Sequence, residues 1–317
     1  MGVSKAPQPS LLDPQPGQHP RRLIPYKPAY ATSHGASYTA DSLEWMKDLP
    51  DASVNAVITS PPYALHFKKE YGNANQAEYV EWFLPFAEQI KRVLRSDGSF
   101  ILNVGGSYNA GTPTRSLYHF RMLLALCDDL GFHLAQECFW YNPAKLPAPA
   151  EWVNVRRIRI KDAVEYIWWL SPTPWPKANN KNVLVEYSAD MERLLQRGYR
   201  PTRRPSGHNI TEKFGRDRGG SIPANMIGRG NNESNSDYLK ACKAQGLKVH
   251  PARFPAALPE FFIGLLTDPG DLVLDPFAGS NTTGRVAEDL GRLWLAVEHD
   301  PDYVRASALR FHIDLTG

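Results

Sequence analysis

Apolar and polar positions alternate along most of the chain in two periods, one of strands and one of helices. Residues 37–40 read as a short strand, and Asp41 and Ser42 offer side-chain oxygens where a helix over 42–49 would start before Pro50. Residues 54–59 are apolar and β-branched and stop at Pro61 and Pro62, which predicts a buried strand. A long helix follows over 77–94, with Pro85 as an expected kink. A second buried strand over 99–104 is entered through a turn at Asp97 and Gly98, and a helix over 116–130 ends at Gly131. Apolar stretches at 134–141 and 163–170 bracket a basic loop. Near the C-terminus come a helix over 258–266, a strand over 272–274, a helix over 283–290, a strand over 293–297 and a helix over 303–311. Strands separated by helices predict an α/β domain, its parallel sheet covered on both faces.

One zone breaks the alternation. Between residues 172 and 249 stand 14 Lys and Arg against 7 Asp and Glu, a local balance of +7 that leaves the remainder of the chain at −4. The whole-chain charge of +3 conceals this division. The zone is rich in Gly and Asn and reads as an inserted lobe; such an excess suits a surface that follows phosphates, or equally a solvated loop. Residues 1–29 are rich in proline and read as a flexible tail without a secretion signal. The expected organisation is therefore a tail (1–29), a first α/β stretch (30–171), the basic region (172–249) and a second α/β stretch (250–317). No apolar run reaches the length of a membrane span, and three cysteines far apart predict neither a disulfide framework nor a metal site. The nine histidines show no metal spacing, so no metal is expected, and a reducing cytoplasm is the expected compartment.

Two loops carry candidate chemistry. The first, Thr59-Ser60-Pro61-Pro62-Tyr63, follows a buried strand. Its prolines fix an extended turn and leave carbonyl acceptors without N–H groups. Ser60 Oγ and the Pro61 carbonyl could accept the hydrogens of an exocyclic amine while Tyr63 stacks on its ring. Taken alone, it could also be a stiffened turn with Tyr63 packed beneath. The second loop contains Asp275, Pro276, Phe277, Ala278, Gly279, Ser280, Asn281 and Thr282, between a strand and a helix, where ligands sit in open α/β sheets. It lacks the glycine spacing of dinucleotide sites and the Gly-Lys of a P-loop. Glu298, at the end of the next strand, is placed to accept both hydroxyls of a ribose.

Together these loops resemble the amino-group DNA methyltransferases that use S-adenosylmethionine. The tetrapeptide SPPY points to the cytosine-N4 branch, and the likeness is closest to its PvuII type. It extends to the stretches YALHFKKEYGN (63–73), SDGSFILNVGGSY (96–108), FWYNPAKLPAPAEWVNVRRIRIK (139–161), GGSIPAN (219–225) and HPARFPAALPEFFI (250–263). The resemblance implies a Rossmann-like methyltransferase fold: a mostly parallel seven-stranded sheet with an antiparallel hairpin at one edge, plus a loop-rich target-recognition region. It also implies the permuted β-type order, in which Asp41 and Ser60 come first in the chain and Asp275 and Glu298 last, so that 30–171 is the catalytic half, 172–249 the target-recognition (DNA-binding) region and 250–317 the cofactor-binding half. Asp41, a helix cap when read alone, becomes an adenine contact, with Ser42, Leu43, Thr59, His250 and His299 around the same cofactor.

The chemistry so implied is direct methyl transfer to the N4 amine of a flipped cytosine, held by Ser60, Pro61, Pro62 and Tyr63. Asn103 could orient Ser60; relatives that carry Asp there have an anion that Asn cannot supply. Methylation at carbon 5 requires a thiolate, usually after proline, whereas Cys127, Cys138 and Cys242 follow Leu126, Glu137 and Ala241. Double-stranded DNA is the expected partner, contacted by Arg156, Arg200, Arg203, Arg204, Arg216, Arg218, Gly220, Ser221, Asn231 and Asn235. A restriction endonuclease would be a separate chain, and the enzyme would be a monomer or homodimer. Adenine-N6 methylation and an inactive DNA-binding relative remain as alternatives.

Overall fold

The computed structural model describes residues 18–64, 75–198, 216–231 and 236–315. Among the described residues, the main compact unit holds 18–64, 75–178, 225–231 and 236–315. The first elements are β1 (Tyr30–Ala31), β2 (Gly35–Thr39), α1 (Ser42–Lys47), β3 (Val54–Thr59), α2 (Tyr79–Val93), β4 (Leu94–Val104) and α3 (Tyr118–Leu124). After them come β5 (His133–Tyr141) and β6 (Val164–Ser171). The second compact unit, residues 179–224, contains α4 (Ala189–Arg197). The main unit resumes with β7 (Met226–Gly228), α5 (Asp237–Ala244), α6 (Ala257–Leu266), β8 (Leu272–Asp275), α7 (Thr282–Asp289), β9 (Leu293–Glu298) and α8 (Pro301–Ala308).

Among the described residues, nine strands form one sheet in the order β1-β2-β9-β8-β3-β4-β6-β5-β7. Five consecutive strands, β2 to β4 in that order, are parallel, and β6 runs antiparallel to both β4 and β5. These seven middle strands are the sheet implied by the resemblance. The two additional ones are short edge strands: β1 is antiparallel to β2 and β7 parallel to β5, so the β5–β6 hairpin is not the outermost element. The last long strand, β9, lies beside the first, β2, with Thr39 opposite Glu298. That pairing is the physical content of the permuted order, since it joins the first and last parts of the chain within one open sheet.

Side chains alternate between two cores along each central strand. Val57, Phe100, Leu102, Leu274, Leu295 and Trp168 face the layer of α2, which contributes Phe83, Ala87 and Ile90. Ala56, Ile58, Ile101, Val273, Trp294 and Ile167 face the other layer, with Phe262, Val286 and Val304. Both faces are therefore covered, as the apolar strand runs predict.

Several local readings are refined. The turn at Asp97 and Gly98 is an irregularity inside β4: Val54 lies opposite Leu94, but Ala56 lies opposite Ser99. The helix ending at Gly131 finishes in a widened π turn, with the Leu130 N–H donating to Ala125 O at 3.1 Å. Pro85 lies inside α2. The expected tail is folded from residue 18: Pro20–Leu23 form a 3-10 turn, and Ile24 is buried in the core. The second unit is narrower than the basic zone read from charge, because residues 172–178 and 225–249 belong to the sheet-bearing unit. Within the second unit Val185 and Ser221 form a β-bridge, Ser188 caps α4, and Tyr187 Oη donates to Asp217 Oδ1 at 3.0 Å.

Candidate active site

Parallel strands β2, β9, β8, β3 and β4 all end on the same side of the sheet, and at these ends lie Asp41, Glu298, Asp275, Ser60 and Asn103. A cavity of about 720 Å3 opens there, within the roughly 300–1,000 Å3 usual for small-molecule sites. Its wall includes Asp41, Ser42, Ser60, Pro61, Pro62, Tyr63, His250, Pro276, Phe277, Ala278, Gly279, Ser280, Thr282, Glu298 and His299. The two loops singled out in the sequence therefore face one space.

The loop after β8 is shaped for close approach. Gly279 has φ +51°, and a Cβ there would lie 3.2 Å from the His250 ring. Burial lowers the His250 pKa to about 4, so the ring is neutral at pH 7. Its Nδ1 pairs with Ala252 O at 2.6 Å, and the ring meets Tyr303 edge-on. Glu298 Oε2 accepts from the Gly279 N–H at 2.8 Å and Oε1 from the Asp300 N–H at 3.0 Å. The His299 N–H also acts on this carboxylate, and of its roughly four acceptor sites one remains for a hydroxyl. Burial raises the Glu298 pKa. Asp41 caps α1, its Oδ1 accepting from Leu43 N–H and Glu44 N–H at 2.9 and 3.2 Å, and it also lines the cavity.

Four predicted cofactor residues do not line the cavity. Asp275 is only 2% exposed. Its carboxylate accepts from Thr59 Oγ1 and Thr283 Oγ1, both at 2.7 Å, and from the Phe277 N–H. Burial raises its pKa to about 6. Thr59 is spent on that bond. Asn281, fully buried at φ +53°, caps α7 through the Gly284 N–H and donates to Tyr30 Oη. Leu43 packs against the apolar core. Asp275, Thr59 and Asn281 brace the loops from behind, because a tight turn between strand and helix turns alternate polar groups inward.

At the opposite end of the cavity a polar chain surrounds Ser60. Ser60 Oγ donates to Tyr63 Oη at 3.1 Å, and Tyr63 Oη donates to Glu165 Oε2 at 2.7 Å. Asn103 Nδ2 donates to Tyr63 Oη at 2.9 Å and to Ser60 Oγ at 3.4 Å. Lys145 Nζ pairs with Glu165 Oε1 at 3.0 Å. The Tyr63 ring lies against Gly105, where a Cβ would come within 2.4 Å of it. Burial, followed by the Glu165 charge, holds the Tyr63 pKa well above 10, so the phenol stays protonated.

Glu165, Lys145 and Asn142 were missed from sequence, as were the aromatic wall residues Trp82, Phe86 and Trp140. Signals existed. Glu165 is a lone acid in the apolar run of β6, and Trp82 and Phe86 share one face of α2, where both pack on Phe277. Of the predicted DNA contacts, Arg216, Arg218 and Gly220 lie in the second unit with Ser221, and both arginines are exposed. A Cβ at Gly220 would meet Val185 O at 2.7 Å, which accounts for that glycine by packing. Arg156 is paired with Glu151 and lies over Trp152. Asn231 differs most from its expected place: its amide donates to Arg253 O and it lines the cavity. Arg200, Arg203, Arg204 and Asn235 lie outside the described residues. Burial raises the Cys127, Cys138 and Cys242 thiols, Cys138 to about 11, and none lines the cavity.

Comparison with known proteins agrees with this arrangement. The chain is 54% identical over 288 residues to the type II methyltransferase M.PvuII of Proteus hauseri, covering 90% of this chain and 86% of that one. It superposes on a solved structure of the PvuII DNA methyltransferase (cytosine-N4-specific) with a TM-score of 0.75 and 48% identity, over 93% of this chain and 92% of the other. The M1.HpyAVI–SAM complex shares the fold at a TM-score of 0.53 and 20% identity, over 88% of this chain and 100% of that one. A family profile described as DNA methylase matches residues 54–309. With that span and that likeness, the chain belongs to the N6/N4 DNA methylase family.

Proposed function

We propose that the protein is a site-specific DNA methyltransferase that moves a methyl group from S-adenosylmethionine to the N4 amine of cytosine. The observation that carries this reading is that Ser60-Pro61-Pro62-Tyr63 and the Gly279–Glu298 pair face one cavity. The cavity suits the cofactor by volume, by the close approach that Gly279 permits and by the remaining acceptor capacity of Glu298. Glu298 holds the ribose hydroxyls, Asp41 the adenine amine, and the aromatic wall of Trp82, Phe86 and Phe277 packs on the adenine face. S-adenosylmethionine, bound there, supplies a methyl group on a positively charged sulfur.

The chain's own residues make the weak nucleophile competent. The N4 lone pair of cytosine is delocalised into the ring. Ser60 Oγ and the Pro61 carbonyl accept its two hydrogens and turn the lone pair out of the ring plane, toward the methyl carbon. The base leaves the duplex to reach this site, since its N4 is paired inside the helix. Residues 172–249, with Arg216 and Arg218, form the DNA-reading region, and Arg156 adds a contact from the β5–β6 loop. The modification partners a separately encoded endonuclease in a type II restriction-modification system, in the bacterial cytoplasm where the DNA is.

The test is methylation of unmodified plasmid followed by nucleoside mass spectrometry and modification-sensitive sequencing. N4-methylcytosine at one short sequence is the expected result. N6-methyladenine as sole product would overturn the base assignment, and no product together with no cofactor binding would overturn the enzyme.

A further inference from the structure

The geometry points to Glu165 as the positioning residue of the transfer: it acts through Tyr63 to orient Ser60 and takes up the proton released by the amine. The inference rests on the reading above.

Its basis is the direction of the hydrogen bonds. Tyr63 Oη gives its single hydrogen to Glu165 Oε2, so it can only accept from Ser60 and from Asn103. Ser60 thereby spends its only hydroxyl hydrogen away from the amine and, with one lone pair facing Asn103, presents the other to it. The polarity of the whole chain is set by an acceptor without hydrogens at its far end. Asn103 cannot be that acceptor: its Nδ2 is the donor here, and its Oδ1 has no partner among the described residues. Lys145 anchors Glu165 by Oε1 and leaves Oε2 for Tyr63. Nothing about β6 as a strand requires the acid. Its side chain is 14% exposed, it pairs with Trp140 on β5, and Tyr166 and Ile167 after it pack into the cores.

The step balances. The amine lone pair forms the new nitrogen–carbon bond as the carbon–sulfur bond breaks and leaves its electron pair on sulfur. The nitrogen, now positive, loses one proton to Ser60 Oγ as the Ser60 proton passes to Tyr63 and the Tyr63 proton to Glu165. A sulfonium and a carboxylate are consumed; a thioether and a carboxylic acid remain, and the acid returns its proton to solvent.

Glu165→Gln is the informative variant. Lys145 still demands an acceptor, so the Gln oxygen turns to it and the amide N–H2 faces Tyr63, which reverses the chain. The single-turnover rate at saturating cofactor should fall about 100-fold or more, the range for a lost proton acceptor. Calorimetric affinities for S-adenosylmethionine and for DNA should stay within about threefold, since the Glu165 carboxylate is held by Tyr63 and Lys145 at the Ser60 end of the cavity. Adding Asn103→Asp to Glu165→Gln should recover at least about tenfold, because it restores an anion beside Ser60 and Tyr63. Tyr63→Phe should lose as much as Glu165→Gln, and the pair together little more than either alone. A Glu165→Gln rate within about threefold of wild type, or losses that multiply in the double variant, would overturn the proposal. Should Glu165→Gln fail to bind cofactor, Tyr63→Phe decides alone, since it keeps the carboxylate and its lysine; an undiminished rate there overturns it. The wild-type product, identified first, separates these outcomes from failure of the cytosine-N4 reading.

Discussion

Thr59 Oγ1 donates a 2.7 Å hydrogen bond to Asp275 Oδ1, joining the residue just before Ser60 to the end of the strand that opens the cofactor loop. A single buried carboxylate thus sets the spacing between the methyl-accepting and methyl-donating ends of the cavity. Burial raises its pKa to about 6. The folded state therefore binds this proton more tightly than the unfolded chain does. Asp275 favours folding fully below about pH 4, and that contribution is lost as pH rises toward 6 and beyond. Asp275→Asn removes the titration but keeps an acceptor for Thr59. Denaturant unfolding of both proteins across pH 4–8 should show the variant gaining on wild type by on the order of 2–3 kcal/mol between those limits. A pH-independent difference would contradict the assignment.

Gly279 combines a left-handed backbone with a ring 3.2 Å from where a Cβ would stand. Gly279→Ala should cost about 1–3 kcal/mol in backbone strain and push the His250 ring into the cofactor's space. Calorimetry should record at least a tenfold loss of S-adenosylmethionine affinity, about 1.4 kcal/mol or more. His250→Ala in the same chain should return part of that loss by making room, though not the backbone strain. If the second change returns nothing, the ring is not the obstacle.

Most of the sheet was legible because its strands are buried on both faces and stand as short apolar runs such as residues 54–59 and 293–297. β1 and β7 were not, since strands of two and three residues carry no period and owe their pairing to the edges of β2 and β5. The site divided in the same way. Ser60, Gly279 and Glu298 sit at strand ends, where position alone indicates a ligand. Asp275, Thr59 and Asn281 sit there too, but a loop sequence does not say which polar groups turn inward, and these three face the protein. Glu165 reaches Tyr63 across 102 residues of chain, and only the antiparallel pairing of β6 with β4 brings it there.

Glu298 holds the loop by the Gly279 and Asp300 N–H groups and lines the cavity. Burial raises its pKa. The ionised form is the one that accepts ribose hydroxyls, so cofactor affinity should be full at high pH and fall as pH drops through this raised pKa, earlier than for an ordinary glutamate. Glu298→Gln should lower affinity at least about tenfold at neutral pH, because its amide N–H2 must face either a backbone N–H or a hydroxyl. It should also flatten the acid limb of the affinity profile. A variant that keeps the wild-type limb would move that titration to another group.

Arg216 and Arg218 are exposed in the second unit, whereas Arg156 is already paired with Glu151. If the two arginines neutralise phosphates, Arg216→Ala and Arg218→Ala should each weaken DNA binding for any sequence. Each should also reduce the slope of log affinity against log salt by about 0.9. Methylation at saturating DNA and low salt should stay within about threefold of wild type, since phosphate contacts position the duplex without touching the reacting atoms. An arginine that reads a base would behave otherwise: the slope would hold and discrimination at one position would relax by about 1–3 kcal/mol. Fluorescence titrations at four salt concentrations with the methylated sequence and a scrambled one separate the two cases. An unchanged slope and unchanged discrimination in both variants would remove this stretch from the DNA interface.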